Sequence, residues 1–206
     1  MPRIVDWPGR LREMAAFVGL DEDQFELIRS TAPVVLEHAD ELTAEVYDNF
    51  LKNPGSRKFF LNEKGEVDET RLDRRKHSLA RWLRASIDFK LDEDYPIRAL
   101  ATGIVHSHPP VHRAHLGSIP SRFMIGTMSF TQTALAELLL QEMDDPEAAM
   151  RASVAWNKLL MLQLDIMLAG YVTETPTESI ETAEGTEEAG ESGDLRSVPD
   201  SSGACN

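Results

Sequence analysis

Apolar positions recur every three or four residues through most of the chain, and no segment alternates over a strand's length. Trp7-Pro8-Gly9 reads as a turn, followed by a helix over residues 10–18 with Leu11, Met14, Ala15 and Val18 on one face and Gly19 closing it. Asp21 with Gln24 three positions on has capping-box spacing, and Phe25 and Ile28 follow on one face. Pro33 belongs in the first turn of the next helix, with Thr31 just ahead of it. From there Val35, Ala39, Leu42, Val46 and Phe50 recur at helical spacing, and Tyr47 lies on the flank shared with Thr43 and Leu51. Asn53-Pro54-Gly55 ends that helix. Residues 57–61 make a short helical turn, and residues 62–67, polar and containing Gly65, make a loop.

The second half repeats the pattern with longer periods. Over residues 68–87, Leu72, Leu79, Trp82 and Leu83 face inward and Arg74, Arg75 and Lys76 face water. Asp92, Glu93 and Asp94 suit a helix N-terminus, and the helix runs through Ile97, Leu100 and Ile104 to His106. Pro109 and Pro110 then forbid its continuation. Pro120 opens the first of two long helices, with Phe123, Thr127, Phe130, Ala134 and Leu138 on one face. The second covers residues 147–172 and carries Ala152, Ala155, Trp156, Leu159, Gln163, Ile166 and Met167. The pattern predicts an all-α domain over residues 1–173, of about eight helices.

Composition divides the chain. Residues 174–206 hold nine acids and one base, Arg196, so they carry −8 of the net −14 and leave −6 for the rest. With aromatics gone and few apolar positions, this stretch is expected to be a disordered acidic tail. Neither part offers a basic stripe for nucleic acid. The first residues lack the apolar segment of a signal peptide, and no run approaches the roughly 18 apolar residues of a membrane span. The lone cysteine, Cys205, allows no internal disulfide. A cytoplasmic protein without membrane or nucleic-acid partners is expected.

The chemistry gathers in residues 101–130, which hold four of the six histidines: His106, His108, His112 and His115. Imidazole ligates iron, zinc and copper and can act as a pH switch. His106 falls at a helix end before an irregular crossing, a position equally open to an ordinary helix-end histidine. The spacing of His108, His112 and His115 allows a zinc or nickel site, but no cysteine joins them, and two prolines and Arg113 interrupt the set; a solvated loop is the better reading.

Four stretches in order resemble the sensor globins and protoglobins, heme globins that front many bacterial gas sensors. FVGLDEDQFELIRSTAPVV resembles the family's extra N-terminal helix and the segment after it. DELTAEVYDNFLKNPGSRKFF resembles its acid, its helix bearing a distal tyrosine, and its following Pro and Phe. RRKHSLARWLRAS resembles its distal helix. DYPIRALATGIVH resembles its run up to the proximal histidine, with an aromatic, then Gly103, then His106. The insertion HPPVHRAH before LGSIPSRFMIG departs from sensor globins and is closer to protoglobins, which carry a longer crossing here. It leaves both His106 and His108 open as the proximal ligand, with the spacing from Tyr95 and Gly103 favouring His106.

The resemblance implies a globin fold with an extra N-terminal helix, a heme b, and reversible binding of a diatomic gas, dioxygen first. His106 would be the iron ligand, its ring oriented by a backbone carbonyl of the turn at Pro109-Pro110. Tyr47 would donate to the bound gas; its alternative is an amphipathic tyrosine at the core edge. Leu79 and Trp82 match the distal helix, Phe60, Ile119 and Phe123 would line the slot, and Arg75, Lys76 or Arg81 would meet a propionate. His77 would point outward. Sensor globins dimerise through the last two helices, and Met161, Leu162 and Leu168 extend here beyond the inward stripe, as an apolar ridge would. No output domain is expected after Thr173, so a sensor would signal through a separate partner. The chain is not expected to be an enzyme. A heme-free globin-fold signalling module of the stressosome type, or a heme enzyme with nitric oxide dioxygenase or peroxidase activity, are the alternatives.

Overall fold

The computed structural model describes residues 5–87 and 94–172. The expected acidic tail, Cys205, and the Asp92-Glu93 helix start lie outside the described residues.

Eight α-helices follow one another in the described residues. α1 (Trp7–Val18) starts earlier than the sequence suggested. Trp7-Pro8-Gly9 is its first turn, because Asp6 accepts from Gly9 N–H at 2.9 Å and proline lacks only an N–H that the first turn leaves unbonded anyway. It closes at Gly19, whose φ of 65° belongs to the left-handed region.

α2 (Glu22–Glu37) begins on Asp21, which accepts from Gln24 N–H at 3.0 Å. Pro33 lies inside α2 rather than opening a new helix. Proline removes one helical hydrogen bond there, but Ile28, Thr31, Ala32 and Val35 bury along one face, and that burial carries the helix one turn further. The break comes at His38 (φ −95°, ψ 8°), and α3 (Ala39–Lys52) is a separate helix. α4 (Pro54–Arg57) and a 3₁₀ turn (Lys58–Phe60) lead into α5 (Glu69–Ile87), whose first turn is capped by Asp68 at 3.0 Å from Arg71 N–H.

α6 (Asp94–Ser107) buries Tyr95, Pro96, Ala99 and Gly103, while Ile97 and Ile104 stay 50% and 44% exposed. Of the apolar positions expected along it, Leu100 packs against the core and the two isoleucines face outward. The inner side is selected by closeness: a Cβ on Gly103 would collide with the Met167 carbonyl, and one on Gly170 would come within 2.6 Å of the Ile104 nitrogen. α6 therefore packs backbone to backbone on α8.

α7 (Ser121–Glu142) and α8 (Pro146–Ala169) form the largest pairing in the bundle. Every inward residue expected for α8 is buried at 3% exposure or less, Trp156, Leu159 and Ile166 completely. Trp156 donates its indole N–H to Thr31 at 2.9 Å, and buried Gln163 donates to Ser86 at 3.0 Å, so α2 and the end of α5 are both fastened to α8. Met161, Leu162 and Leu168 do not form an exposed ridge: Leu162 is fully buried, and Met161 and Leu168 pack against the core. α8 is surrounded by α7, α6, α2 and α1, so its overflow beyond one stripe is consumed inside the bundle. α7 is long and apolar enough to cross a membrane by length and composition alone, with a third of its apolar window buried against its neighbours.

Candidate functional site

The buried apolar residues fall into two clusters. The larger gathers around α8, and the smaller joins Tyr47, Phe59, Phe60 and Leu72. Between them lies a cavity of about 510 Å³, within the range of about 300–1,000 Å³ usual for small-molecule and cofactor sites. Its wall takes Phe60 and Phe123 from the small cluster's side and Met128 and Met167 from the large one.

One wall is the end of α6. His106 stands in its last turn, half-buried, and its Nδ1 is 2.6 Å from the Thr102 carbonyl oxygen. A carbonyl only accepts, so Nδ1 carries a proton, and in the neutral ring this leaves the lone pair on Nε2. The orienting acceptor is thus one turn back within α6, and not a carbonyl of the Pro109-Pro110 turn as expected. The turn's own polar groups are consumed in closing the helix end. Ile119 N–H donates to the His106 carbonyl at 2.9 Å, Ser118 Oγ to the Ser107 carbonyl at 2.6 Å, and Ser107 Oγ to the Gly170 carbonyl at 2.7 Å. The first replaces the donor that Pro110 cannot give the His106 carbonyl, and the other two tie the helix end to the Ser118 turn and to the end of α8.

The inserted stretch then forms a 3₁₀ helix (Val111–Leu116) rather than an irregular loop, ended by Gly117 at φ 71°. Leu116 and Gly117 reach the cavity. His108 is exposed beside Ser107, outside the wall, and His115 is exposed too. No three His, Cys, Asp or Glu side chains gather as a metal site among the described residues, and the His112 side chain lies outside them.

The other side is built by α3 and α5, which pack on each other. Tyr47 is 8% exposed and meets Phe50 and Phe60 edge-on, each at 5.6 Å between ring centres. Burial pushes its phenol up to about 12, against the opposing pull of the Arg75 charge. On α5, Arg75, Ser78, Leu79 and Trp82 share the face toward the cavity, and Arg81 stands at its exposed edge. Arg75, expected in water with its neighbours, is half-buried in the wall. Lys76 is not in the wall. His77 is exposed, with Nδ1 on the Asp73 carbonyl at 2.8 Å, and points away as expected.

The structure thus brings His106, Tyr47, Leu79, Trp82, Phe60, Ile119 and Phe123 into one cavity. Sequence reasoning missed Phe50, Phe59, Val105, Met128 and Met167 as wall residues. Phe50 and Val105 could have been found by stepping along the helix from Tyr47 and His106. Met128 and Met167 carry no local signal, since either reads as core.

The polar wall residues have a marked imbalance. Ser56 donates to the Phe50 carbonyl, Ser78 to Arg74, Thr102 to Arg98 and Thr127 to Phe123, at 2.6–3.1 Å. A hydroxyl has one proton, so these four donate into their own helices and turns rather than the cavity. Apart from His106, the other wall side chains that carry N–H or O–H donors are Tyr47, Trp82, Arg75 and Arg81, and among the described residues the wall contains no aspartate or glutamate.

The sequence profile of the protoglobin family matches residues 8–176. Among solved structures, the globin domain of a Geobacter sulfurreducens globin-coupled sensor superposes with a TM-score of 0.61 at 19% identity, covering 78% of this chain and 96% of that one. The globin domain of E. coli DosC in its ferric form gives a TM-score of 0.61 at 16% identity, covering 78% and 99%. Its ferrous form gives 0.59 at 16%, covering 77% and 99%. At these identities the likeness establishes the globin fold. No protein of curated function matches the chain.

Proposed function

The chain belongs to the protoglobin family, and from that premise we propose that its cavity holds a b-type heme on His106 and reversibly binds a diatomic gas, dioxygen first. The observation that carries this reading is the pairing within one cavity of an imidazole fixed in the Nδ1–H form with a buried phenol on the opposite helices. The wall fits the group. It is largely apolar, it lies between two parts of the core, and its charged side chains are cationic, as a macrocycle with two carboxylates requires.

When bound, a ferrous heme supplies one open coordination position for a small gas. The protein's residues do the rest. His106 presents Nε2 as ligand while the Thr102 carbonyl holds the ring and raises its basicity. Phe60, Leu79, Trp82, Ile119 and Phe123 exclude water. Tyr47 stays protonated far above neutral pH and so can donate to a partly negative atom of the gas. Arg81, at the exposed edge, is placed to meet a carboxylate. The wider reading is a cytoplasmic sensor or gas-handling protein that pairs with a second copy through α7 and α8 and passes any signal to a separate partner.

A heme-free module would need no such cavity, and absorbance separates the two readings. Protein expressed with heme supplied should show a Soret band that shifts reversibly with dioxygen and carbon monoxide. A colourless protein with native helical content would refute heme binding.

A further inference from the structure

His106 stands in the last turn of α6, and last turns are where helices fray. The Thr102 carbonyl orients its ring, but Thr102 belongs to the same helix and cannot fix where that helix ends. Contacts with α8 do so. Three residues before His106, Gly103 lies against the Met167 backbone so closely that no side chain fits between them. One residue after it, Ser107 is 8% exposed and donates to the Gly170 carbonyl at 2.7 Å, across 63 positions of sequence. The two contacts bracket the histidine, and both are made to the C-terminal end of α8.

The Gly170 carbonyl is open to this bond because α8 ends at Ala169, and the last carbonyls of a helix have no donor within it. The approach also needs glycine at this position, since a Cβ on Gly170 would come within 2.6 Å of the Ile104 nitrogen. The Ser107 hydroxyl has one proton. The Ile104 carbonyl lies farther off, at 3.2 Å, and already accepts the His108 backbone N–H at 2.7 Å. The His108 ring nitrogen Nδ1 is 2.8 Å from Ser107 Oγ. A chain from His108 Nδ1–H to Ser107 Oγ, and from Ser107 to the Gly170 carbonyl, gives each of these groups a partner.

We propose that Ser107 is a positioning residue for the heme ligand: by fastening the end of α6 to the end of α8, it sets where His106 Nε2 stands at the cavity. Ser107 is not itself in the cavity wall, so it acts through His106. The inference rests on the heme reading above. A side chain held in place beforehand loses less freedom when it binds, so the fastening favours heme retention and holds the imidazole in one position under the iron.

The test is Ser107→Ala in the full chain loaded with heme, beside Ser107→Thr, which keeps the hydroxyl. The alanine variant should keep its Soret band and transfer heme to an apoglobin acceptor about two-fold to ten-fold faster, the range for one neutral hydrogen bond. Its iron–histidine stretching band, read by resonance Raman on the ferrous gas-free protein, should move to lower frequency and broaden. The threonine variant should stay near wild type in both measurements.

A serine that only stabilises the fold would lower the melting temperature of the heme-free protein and leave the stretching band in place. That result would overturn the inference, as would an unchanged band with unchanged heme transfer. A threonine variant as altered as the alanine one would also overturn it, because the hydroxyl would then not be the group that acts. A wild-type protein without a Soret band would overturn the heme reading itself, and this inference with it. That outcome is distinct from the others, in which heme is bound.

Discussion

His106 and His108 differ by two positions in the sequence and by their whole environment in the fold. His106 faces the cavity with its proton on the Thr102 carbonyl, and His108 is exposed beside Ser107. His106→Ala should therefore abolish stable heme binding while far-UV circular dichroism keeps its helical signal, and His108→Ala should leave the Soret band unchanged. The reverse result would reassign the ligand. For Tyr47, phenylalanine keeps the ring against Phe50 and Phe60 and removes the hydroxyl. A hydrogen bond to a partly charged acceptor contributes about 1.5–3 kcal/mol, so Tyr47→Phe should speed dioxygen release roughly ten-fold to a hundred-fold. Carbon monoxide, less polar when bound, should be released at nearly the wild-type rate. Stopped-flow release of both gases decides it, and an equal change in both would mean altered access instead. Tyr47 also predicts a pH dependence. Its phenol is raised from the ordinary 10.0 to about 12 by burial, so the unfolded chain loses this proton first. Its contribution is complete below pH 10 and is lost as pH rises toward about 12. The alkaline loss of stability, followed by urea unfolding, should be shallower in Tyr47→Phe.

The helices differ in how much of their packing their own pattern declares. α8 declares nearly all of it, because it is central and its buried face follows the apolar period. α6 declares little, because its inner face is chosen by what Gly103 lacks. Hydropathy ranks Ile97 and Ile104 above Ala99 and Gly103, yet a close crossing needs the small residues and leaves the isoleucines outside. α2 hides its continuity behind Pro33, where burial on the far side outweighs one lost hydrogen bond. The site residues follow the same logic. His106, Tyr47 and Leu79 could be located by the order of motifs along the chain. Arg75 is only one of three cations offered for a propionate, since Arg74 and Lys76 beside it make the trio read as a solvated run. The α6–α8 crossing yields a prediction with a definite sign. Gly→Ala within a helix normally stabilises by about 0.5–1 kcal/mol. Gly126 in α7 has open space where a Cβ would go, so Gly126→Ala should raise the melting temperature slightly. Gly103→Ala should instead lower it by the equivalent of about 1–3 kcal/mol, because the methyl group meets the Met167 backbone, which cannot rotate away. Thermal denaturation of the two variants side by side tests this, and a stabilised Gly103→Ala would show that the helices are not in backbone contact.

At the scale of the molecule, the cavity and the outer faces of α7 and α8 are two of the places where apolar surface is left uncovered. The cavity separates two clusters that share no buried member, so a bound heme would join them. A ligand that binds only the folded state stabilises it by mass action, and heme loading should raise the melting temperature measured by circular dichroism. The face of α7 needs a different partner. Ile125 and Leu140 on α7 remain 49% and 47% exposed, and Met150 and Val154 on α8 remain 56% and 45% exposed. Scattered apolar residues at a surface are ordinary, but here they lie on the two longest helices, and α7 buries only a third of its apolar window. A symmetric pairing of two copies would cover this surface, and a stable one removes roughly 1,600 Å² in total. The residues to change are Leu140 and Met150, not Met161, Leu162 or Leu168, which the bundle already uses. Leu140→Glu with Met150→Glu should leave the fold intact, since both side chains already meet solvent. At an interface each carboxylate would be desolvated, at an effective penalty of several kcal/mol per ion, enough to weaken association by about a hundred-fold or more. Sedimentation velocity should show the wild type as a dimer at micromolar concentration and the double variant as a monomer, with the same Soret band in both. A wild type that sediments as a monomer across that range, or a double variant that stays dimeric, would remove α7 and α8 as the interface.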